Sequence, residues 1–302
     1  MSPNFFKHGE SLSAFTTFRI GGPASALARA TTADEVLAAA TRADAMGLLW
    51  RVIGHGSNIL VADEGLEAAV IVFQSAEPPQ IFNDGRVVVS GGFPLAELVS
   101  LLAFKGLAGL EDLAGIPGTV GGAIAGNAGA YGKTIGNLVG SVRLLGRDGR
   151  TRELTGLELL FAYRHSILKE TTDAILDATL ATSPGDATLL MGIVEARLAD
   201  RRAKHPDHLV VPTAGSYFKN PMSPEGKTIA AGKLLEEAGC KELRAGGAHL
   251  WHKHVNIIVT DGNTKAADVL SLAAQMSERV YEHSKIQLSP EVSYLETRKC
   301  NV

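Results

Sequence analysis

Between Gly115 and Gly132 the chain reads GIPGTVGGAIAGNAGAYG, with glycine at seven of eighteen positions and small or apolar side chains at most of the others. Glycine reaches positive φ and carries no Cβ, so such a stretch lets its backbone come close to something. Consecutive amides could converge on an anion, or a planar ring could lie against the main chain. The bland alternative is a run of small residues where two elements pack tightly. A second small-residue loop, GHGSN over Gly54 to Asn58, favours a ligand. The amides of Gly56, Ser57 and Asn58, with the Ser57 hydroxyl, suit a phosphate.

Two nucleotide motifs fail on their spacing. GxGxxG starting at Gly54 needs glycine at 59, where the chain has Ile59, and a strand rather than a helix follows. Gly132, Lys133 and Thr134 look like the end of a phosphate loop, but its opening glycine falls at Asn127 and no apolar strand leads in. A P-loop-like nucleotide-binding protein is therefore the remote alternative from another class.

Strand and helix signals alternate along the chain. Ala24 to Ala30, Trp50 to Ile53, Ala69 to Phe73, Arg86 to Ser90 and Ser141 to Leu145 are expected strands, and the first two frame a βαβ unit. Thr32 and Asp34 offer the cap of an expected helix that Gly47 stops, Leu95 to Lys105 is a second, ended by Gly106, and Leu157 to Tyr163 carries helical spacing into YRHS. A strand over Ala174 to Ala181 precedes a helix over Leu189 to Lys204, whose basic end (Arg197, Arg201, Arg202, Lys204) suits the helix dipole. HPDHLVVP, His205 to Pro212, is the linker candidate. Beyond it come helices over Ile229 to Ala238 and Thr264 to His283, and strands over Val255 to Thr260 and Ser289 to Leu295.

With 29 basic and 32 acidic residues in 302, the net charge of -3 recommends neither nucleic acid nor an anionic membrane as partner. No apolar run approaches the roughly 18 residues of a spanning helix, and MSPNFFKHGES lacks the plan of a signal peptide. A cytoplasmic location is expected, with no membrane insertion. Cys240 and Cys300 suit a reducing compartment, so neither a disulfide nor a metal cluster is expected.

With GHGSN, GIPGTVGGAIAGNAGAYG, YRHS, AGSYFKNP, AGKLLEEAG, RAGGAH and SPEV in this order, the chain resembles the UDP-N-acetylenolpyruvoylglucosamine reductases from Phe15 to Leu295. The resemblance implies an α/β (α+β) fold: a two-lobed FAD-binding domain of the vanillyl-alcohol oxidase type and a smaller C-terminal substrate-binding domain. The expected divisions are 1–76, 77–205 and 206–296, with a tail over 297–302. The short segment between Ser166 and Gly215 places the chain in the branch without the tyrosine-bearing insertion. Noncovalent FAD is the implied cofactor and NADPH the co-substrate. UDP-N-acetylglucosamine enolpyruvate is the implied substrate, with no obligate protein partner. Another FAD-dependent oxidoreductase of the same fold is the alternative nearest to this one.

By the same resemblance, Gly54, His55, Gly56, Ser57 and Asn58 line the diphosphate and flavin together with Pro117, Gly118, Thr119, Gly121, Gly122 and Ala123. Asn127 to Gly129 lie nearby. His55 departs from the small or polar residue common there. Related oxidases attach flavin through histidine, so His55 is either a covalent anchor or, as expected here, a noncovalent contact or an exposed side chain. Ser216 is the implied proton donor, with Lys219 favouring the alkoxide left behind. Arg164 neutralises the substrate carboxylate and Glu291 stabilises the enol form. A Glu facing a carboxylate must be protonated or paired. Lys219, Asn220 and His254 match substrate contacts. From spacing alone, Ser216 would be a turn hydroxyl, Arg164 a surface ion-pair member and His254 a surface strand-start histidine.

Overall fold

The computed structural model describes residues 5–171, 173–223 and 226–297. They form two compact units. Among the described residues, the first takes 5–7, 26–55 and 68–201, and the second takes 8–25, 56–67 and those from Arg202 to 297.

The first unit has two apolar cores. One lies under the sheet ordered Ala24–Ala30, Leu66–Phe73, Trp50–Ile53, where the last two strands are parallel with Trp50 opposite Ala69. Helix α1, Ala33–Ala45, starts where the Thr32 hydroxyl accepts from Glu35 N, and it buries Val36, Ala39, Ala40 and Ala43 on that sheet. The βαβ reading holds for the elements. The third strand inserts between the first two.

The second core lies on an antiparallel sheet ordered Thr151–Thr155, Val139–Leu145, Ala174–Ala181, Arg86–Ser90, Gln80–Ile81. Helix α2, Leu95–Phe104, contributes Leu95, Leu98, Val99 and Leu102. The central glycine-rich stretch folds in part as a helix, α3, Val120–Ala125, which its composition does not suggest. Packing overrides propensity there. Val120 and Ile124 are fully buried, and a Cβ on Gly121 would stand 2.9 Å from the carbonyl oxygen of Gly91. Over Leu157 to Tyr163 the expected helix is instead a run of turns, in which Leu160 has φ 47° and Leu157 is exposed while Leu159 is buried. After the short helix α4, Leu168–Thr171, the strand Ala174–Ala181 leads to helix α5, Ala187–Lys204.

The second unit carries an antiparallel sheet ordered Thr213–Ser216, His254–Thr260, Ala248–Trp251, Arg244–Ala245. Helices α6, Ala231–Glu237, and α7, Ala266–Ser284, enclose its core with Val269, Leu272, Met276 and Val280. Phe18, Ile20 and Leu60 complete that core. Asp63 caps α7, accepting from Ala266 N at 2.8 Å and Ala267 N at 3.2 Å. The expected strand over 289–295 is regular only at Ser293–Leu295, because it pairs in parallel with Ile59–Val61 rather than joining the larger sheet. Cys300 and residues 298–302 of the expected tail lie outside the described residues.

Candidate active site

In the first unit the two glycine-rich loops meet. A Cβ on Gly54 would stand 2.3 Å from Thr119 Oγ1, so no other residue fits there without displacing the threonine. Thr119 is the N-cap of α3 and accepts from Gly122 N at 3.3 Å. The amides of Val120, Gly121 and Ala123 donate to Phe93, Gly91 and Thr119 at 2.9, 2.8 and 2.9 Å. An amide nest at 120–123 is thereby excluded. What remains is the first turn of α3 with Gly122 exposed among small side chains: a Cβ on Gly122 would meet nothing closer than Thr119 Oγ1 at 3.5 Å. That cradle fits a planar ring, the other arrangement the sequence allowed. Gly118 has φ 129° and its carbonyl accepts from Leu95 N, which ties the Pro117–Gly118 turn to the start of α2.

YRHS is clasped to the central loop by three bonds. Asn127, almost fully buried, donates from Nδ2 to Ala162 O at 2.8 Å and accepts from Gly136 N at 3.2 Å. Ser166 Oγ donates to Ala125 O at 2.7 Å, and Arg164 Nη2 donates to Gly129 O at 2.8 Å. Ala162 and His165 form an antiparallel bridge, with Arg164 at the tip in the left-handed region, φ 54°. Asn127 and Gly129 therefore hold Arg164 and its loop through these bonds. The basic end of α5 also does more than meet a dipole. Arg197 donates to Asp112 Oδ1 at 2.8 Å and stacks 3.8 Å from the centre of the Tyr131 ring, while Tyr131 donates to Asp200 at 2.5 Å. Burial pushes the Arg201 guanidinium below its ordinary value. The half-buried His55 also lies in this unit.

In the second unit Gly56 has φ 63° and leaves no room for a Cβ against Phe15 O. Asn58 is tied to the Glu291 segment by its other groups: Nδ2 donates to Glu291 O at 3.2 Å, and its backbone carbonyl accepts from Ser293 N at 3.0 Å. Ser57 stands half-buried between them. Glu291 N donates to Tyr217 O at 2.7 Å and Lys219 N to Ser289 O at 2.9 Å, so the segments around Ser216 and Glu291 run side by side. Asn220 Oδ1 accepts from Ala231 N at 2.9 Å and caps α6. His254, half-buried, stacks 5.6 Å from His205 and fills the space over Gly232, whose Cβ would come within 3.2 Å of its ring. Burial is the main cause that lowers its pKa, opposed by the Glu236 carboxylate and reinforced by Lys204. Tyr217, buried beside Ser216, has its phenol pushed up to about 12 by burial.

Arg164 belongs to the first unit; Ser216, Glu291, Lys219, Asn220 and His254 belong to the second. Sequence reasoning missed Asn256 and Thr213, both nearly inaccessible. The signal available for Asn256 was a lone amide inside the apolar run HVNIIV.

Residues 24–155 match the FAD binding domain family, and residues 205–295 match the C-terminal domain of UDP-N-acetylenolpyruvoylglucosamine reductase. The UDP-N-acetylenolpyruvoylglucosamine reductase of Heliobacterium modesticaldum is 38% identical over 94% of this chain and 88% of its own length. That of Moorella thermoacetica is 39% identical over 94% of this chain and 91% of its own. The crystal structure of the Thermus caldophilus reductase superposes with a TM-score of 0.79 at 32% identity, covering 97% of this chain and all of that one. These matches exclude the P-loop alternative, as does the local structure, where Lys133–Thr134 is a short strand followed directly by a single helical turn, Ile135–Asn137, rather than by an α-helix. An FAD-binding fold, a C-terminal α/β domain and full-length relatives of one name agree: the chain belongs to the UDP-N-acetylenolpyruvoylglucosamine reductases, FAD-dependent oxidoreductases of peptidoglycan synthesis.

Proposed function

We propose that this chain uses NADPH to reduce the enolpyruvyl ether of UDP-N-acetylglucosamine enolpyruvate, giving UDP-N-acetylmuramate, in the cytoplasm and without an obligate protein partner. FAD, when bound, supplies the hydride carrier between the two substrates. Gly54, His55, Gly56, Ser57, Pro117, Gly118, Thr119, Gly121, Gly122 and Ala123 would hold it noncovalently, His55 as a contact. Asn58, Asn127 and Gly129, which also keep those loops in place, would line the flavin beside them. The functional division falls near residue 205, with flavin binding before it and substrate binding over 206–296.

The observation that carries the reading is the hydrogen-bonded ribbon joining 217–219 to 289–291. It brings a hydroxyl and a carboxyl from distant motifs into one local structure. As hydride forms a C–H bond at the terminal carbon of the enolpyruvyl group, negative charge develops on the neighbouring carbon and its carboxylate. The O–H bond of Ser216 breaks, its proton forms the second C–H bond at that neighbouring carbon, and the electron pair stays on the serine oxygen. Lys219, three residues on, steadies this alkoxide until it is reprotonated from solvent. Arg164 pairs with the substrate carboxylate, its fork already oriented by Gly129 O. Glu291 hydrogen-bonds the enol form. Lys219, Asn220 and His254 contact the nucleotide end, Asn220 while capping α6.

An anaerobic absorbance titration tests this. Purified protein should show oxidised-flavin bands near about 450 nm, lose them on adding NADPH, and recover them on adding the enolpyruvyl substrate. Bleaching without recovery removes the substrate from the reading, and a colourless protein removes the flavin as well.

A further inference from the structure

Asn256 stands inside the strand His254–Thr260 between Val255 and Ile257, and only 3% of it is exposed. An amide so buried must be paired at both ends. Both ends are spent on one residue: Phe218 N donates to Oδ1 at 3.0 Å, and Nδ2 donates to Phe218 O at 2.9 Å. The backbone carbonyl of Asn256 accepts from Tyr217 N at 2.8 Å as well. The side chain thus supplies Phe218 with the donor and acceptor that a neighbouring strand would give.

It does so just where ordinary pairing breaks. Thr213 pairs with Val259 and Ser216 with Ile257, three steps along one strand against two along the other. The extra residue is a bulge, with Gly215 at φ 76°, and bulges re-aim the side chains that follow. On its near side Thr213 Oγ1 donates to Ile258 O at 2.7 Å and accepts from Gly215 N at 3.1 Å. On its far side Asn256 holds Tyr217 and Phe218. Those two residues also carry the Glu291 segment, through Glu291 N to Tyr217 O and the Phe218–Pro290 bridge.

Resting on the reaction assigned above, we propose that Asn256 is a positioning residue for proton transfer. It locks the Tyr217–Phe218 backbone, which fixes Ser216 on one side and Glu291 on the other. Misplacement by about 1 Å costs roughly a hundredfold in rate.

Rapid-mixing measurements on the Asn256→Ala holoenzyme separate this from simple destabilisation. Flavin reduction by NADPH should stay within about twofold of wild type, while reoxidation by the enolpyruvyl substrate falls roughly a hundredfold and its solvent deuterium isotope effect grows. Thr260→Val removes a bond from the same strand to Phe18 O. It should lower the melting temperature and leave both half-reactions intact. Should Asn256→Ala fail to fold, Asn256→Asp keeps the acceptor for Phe218 N and should slow reoxidation roughly tenfold, an intermediate misplacement. Reoxidation at the wild-type rate in whichever variant folds, or equal losses in both half-reactions, overturns the role of Asn256. A wild-type enzyme that the enolpyruvyl substrate fails to reoxidise overturns the assigned reaction instead.

Discussion

The segments that carry Ser216 and Arg164 both need a left-handed backbone, and they meet the need differently. Ahead of Ser216 the positive φ falls on Gly215, at 76°, where it costs no steric strain. In YRHS it falls on Arg164 itself, at 54°. A non-glycine residue held there costs on the order of 1–2 kcal/mol, offset by the Asn127, Ser166 and Gly129 bonds that clasp the hairpin to the central loop. On the proposed reading, the hydroxyl that would give up a proton is aimed by a flexible neighbour and buried pins, and the guanidinium that would present a fork is aimed by strain in its own backbone.

The largest effect is expected at Ser216. Ser216→Ala should leave flavin reduction by NADPH unchanged and slow reoxidation by about 10²–10⁴-fold, the usual worth of a positioned acid; stopped-flow traces of the two half-reactions measure it. Next comes Arg164→Lys, which keeps the charge and loses the planar fork and the Gly129 bond. It should lower kcat by about 10²-fold, and a loss confined to KM would mean that Arg164 only binds.

Gly215→Ala tests the other side of the comparison cleanly, because a Cβ there would meet nothing within 4 Å and only the backbone term remains. It should cost about 1–2 kcal/mol in thermal unfolding, and Gly215→Asn less. Equal stability of all three would show that the bulge relaxes freely. The smallest effect at neutral pH belongs to Tyr217→Phe. Because burial raises the folded phenol to about 12, its contribution is intact below the unfolded value near 10 and is lost as pH rises through the folded one. Wild type should therefore lose more stability between about pH 10 and 12 than Tyr217→Phe does, as alkaline melting curves would record.

Much of the molecule was legible before any coordinates. Thr32, Gly47 and the spacing of Val36, Ala40 and Ala43 gave α1, and β-branched runs gave the strands at 50–53, 86–90 and 174–181. The roles of Ser216, Arg164 and Glu291 came from the family resemblance, since spacing alone favours a turn hydroxyl and a surface ion pair. The spacing of Leu157 to Tyr163 misled, since Leu157, Leu160 and Phe161 satisfy a helical count while Leu157 and Leu160 are exposed and the backbone turns at Leu160. The glycines of 115–132 were ambiguous for a related reason. Composition cannot say whether a missing Cβ admits a ligand or a neighbouring group; at Gly54 it makes room for the Thr119 side chain and at Gly121 for the backbone of Gly91.

What the sequence by itself determined is everything governed by near neighbours along the chain: helix caps, strand periodicity, turn glycines and the ordered motifs that mark the family. Tertiary structure alone decided which of those groups are spent on the fold. Asn58, Asn127 and Asn220 are polar in the sequence and expected beside the ligands, and the fold also uses their side chains, on Glu291 O, Ala162 O and Ala231 N. Asn256 reads as an anomaly in an apolar strand and becomes the partner of Phe218. The reason is that a buried donor or acceptor must be satisfied. Its partner is set by long-range packing, on which local sequence carries no information.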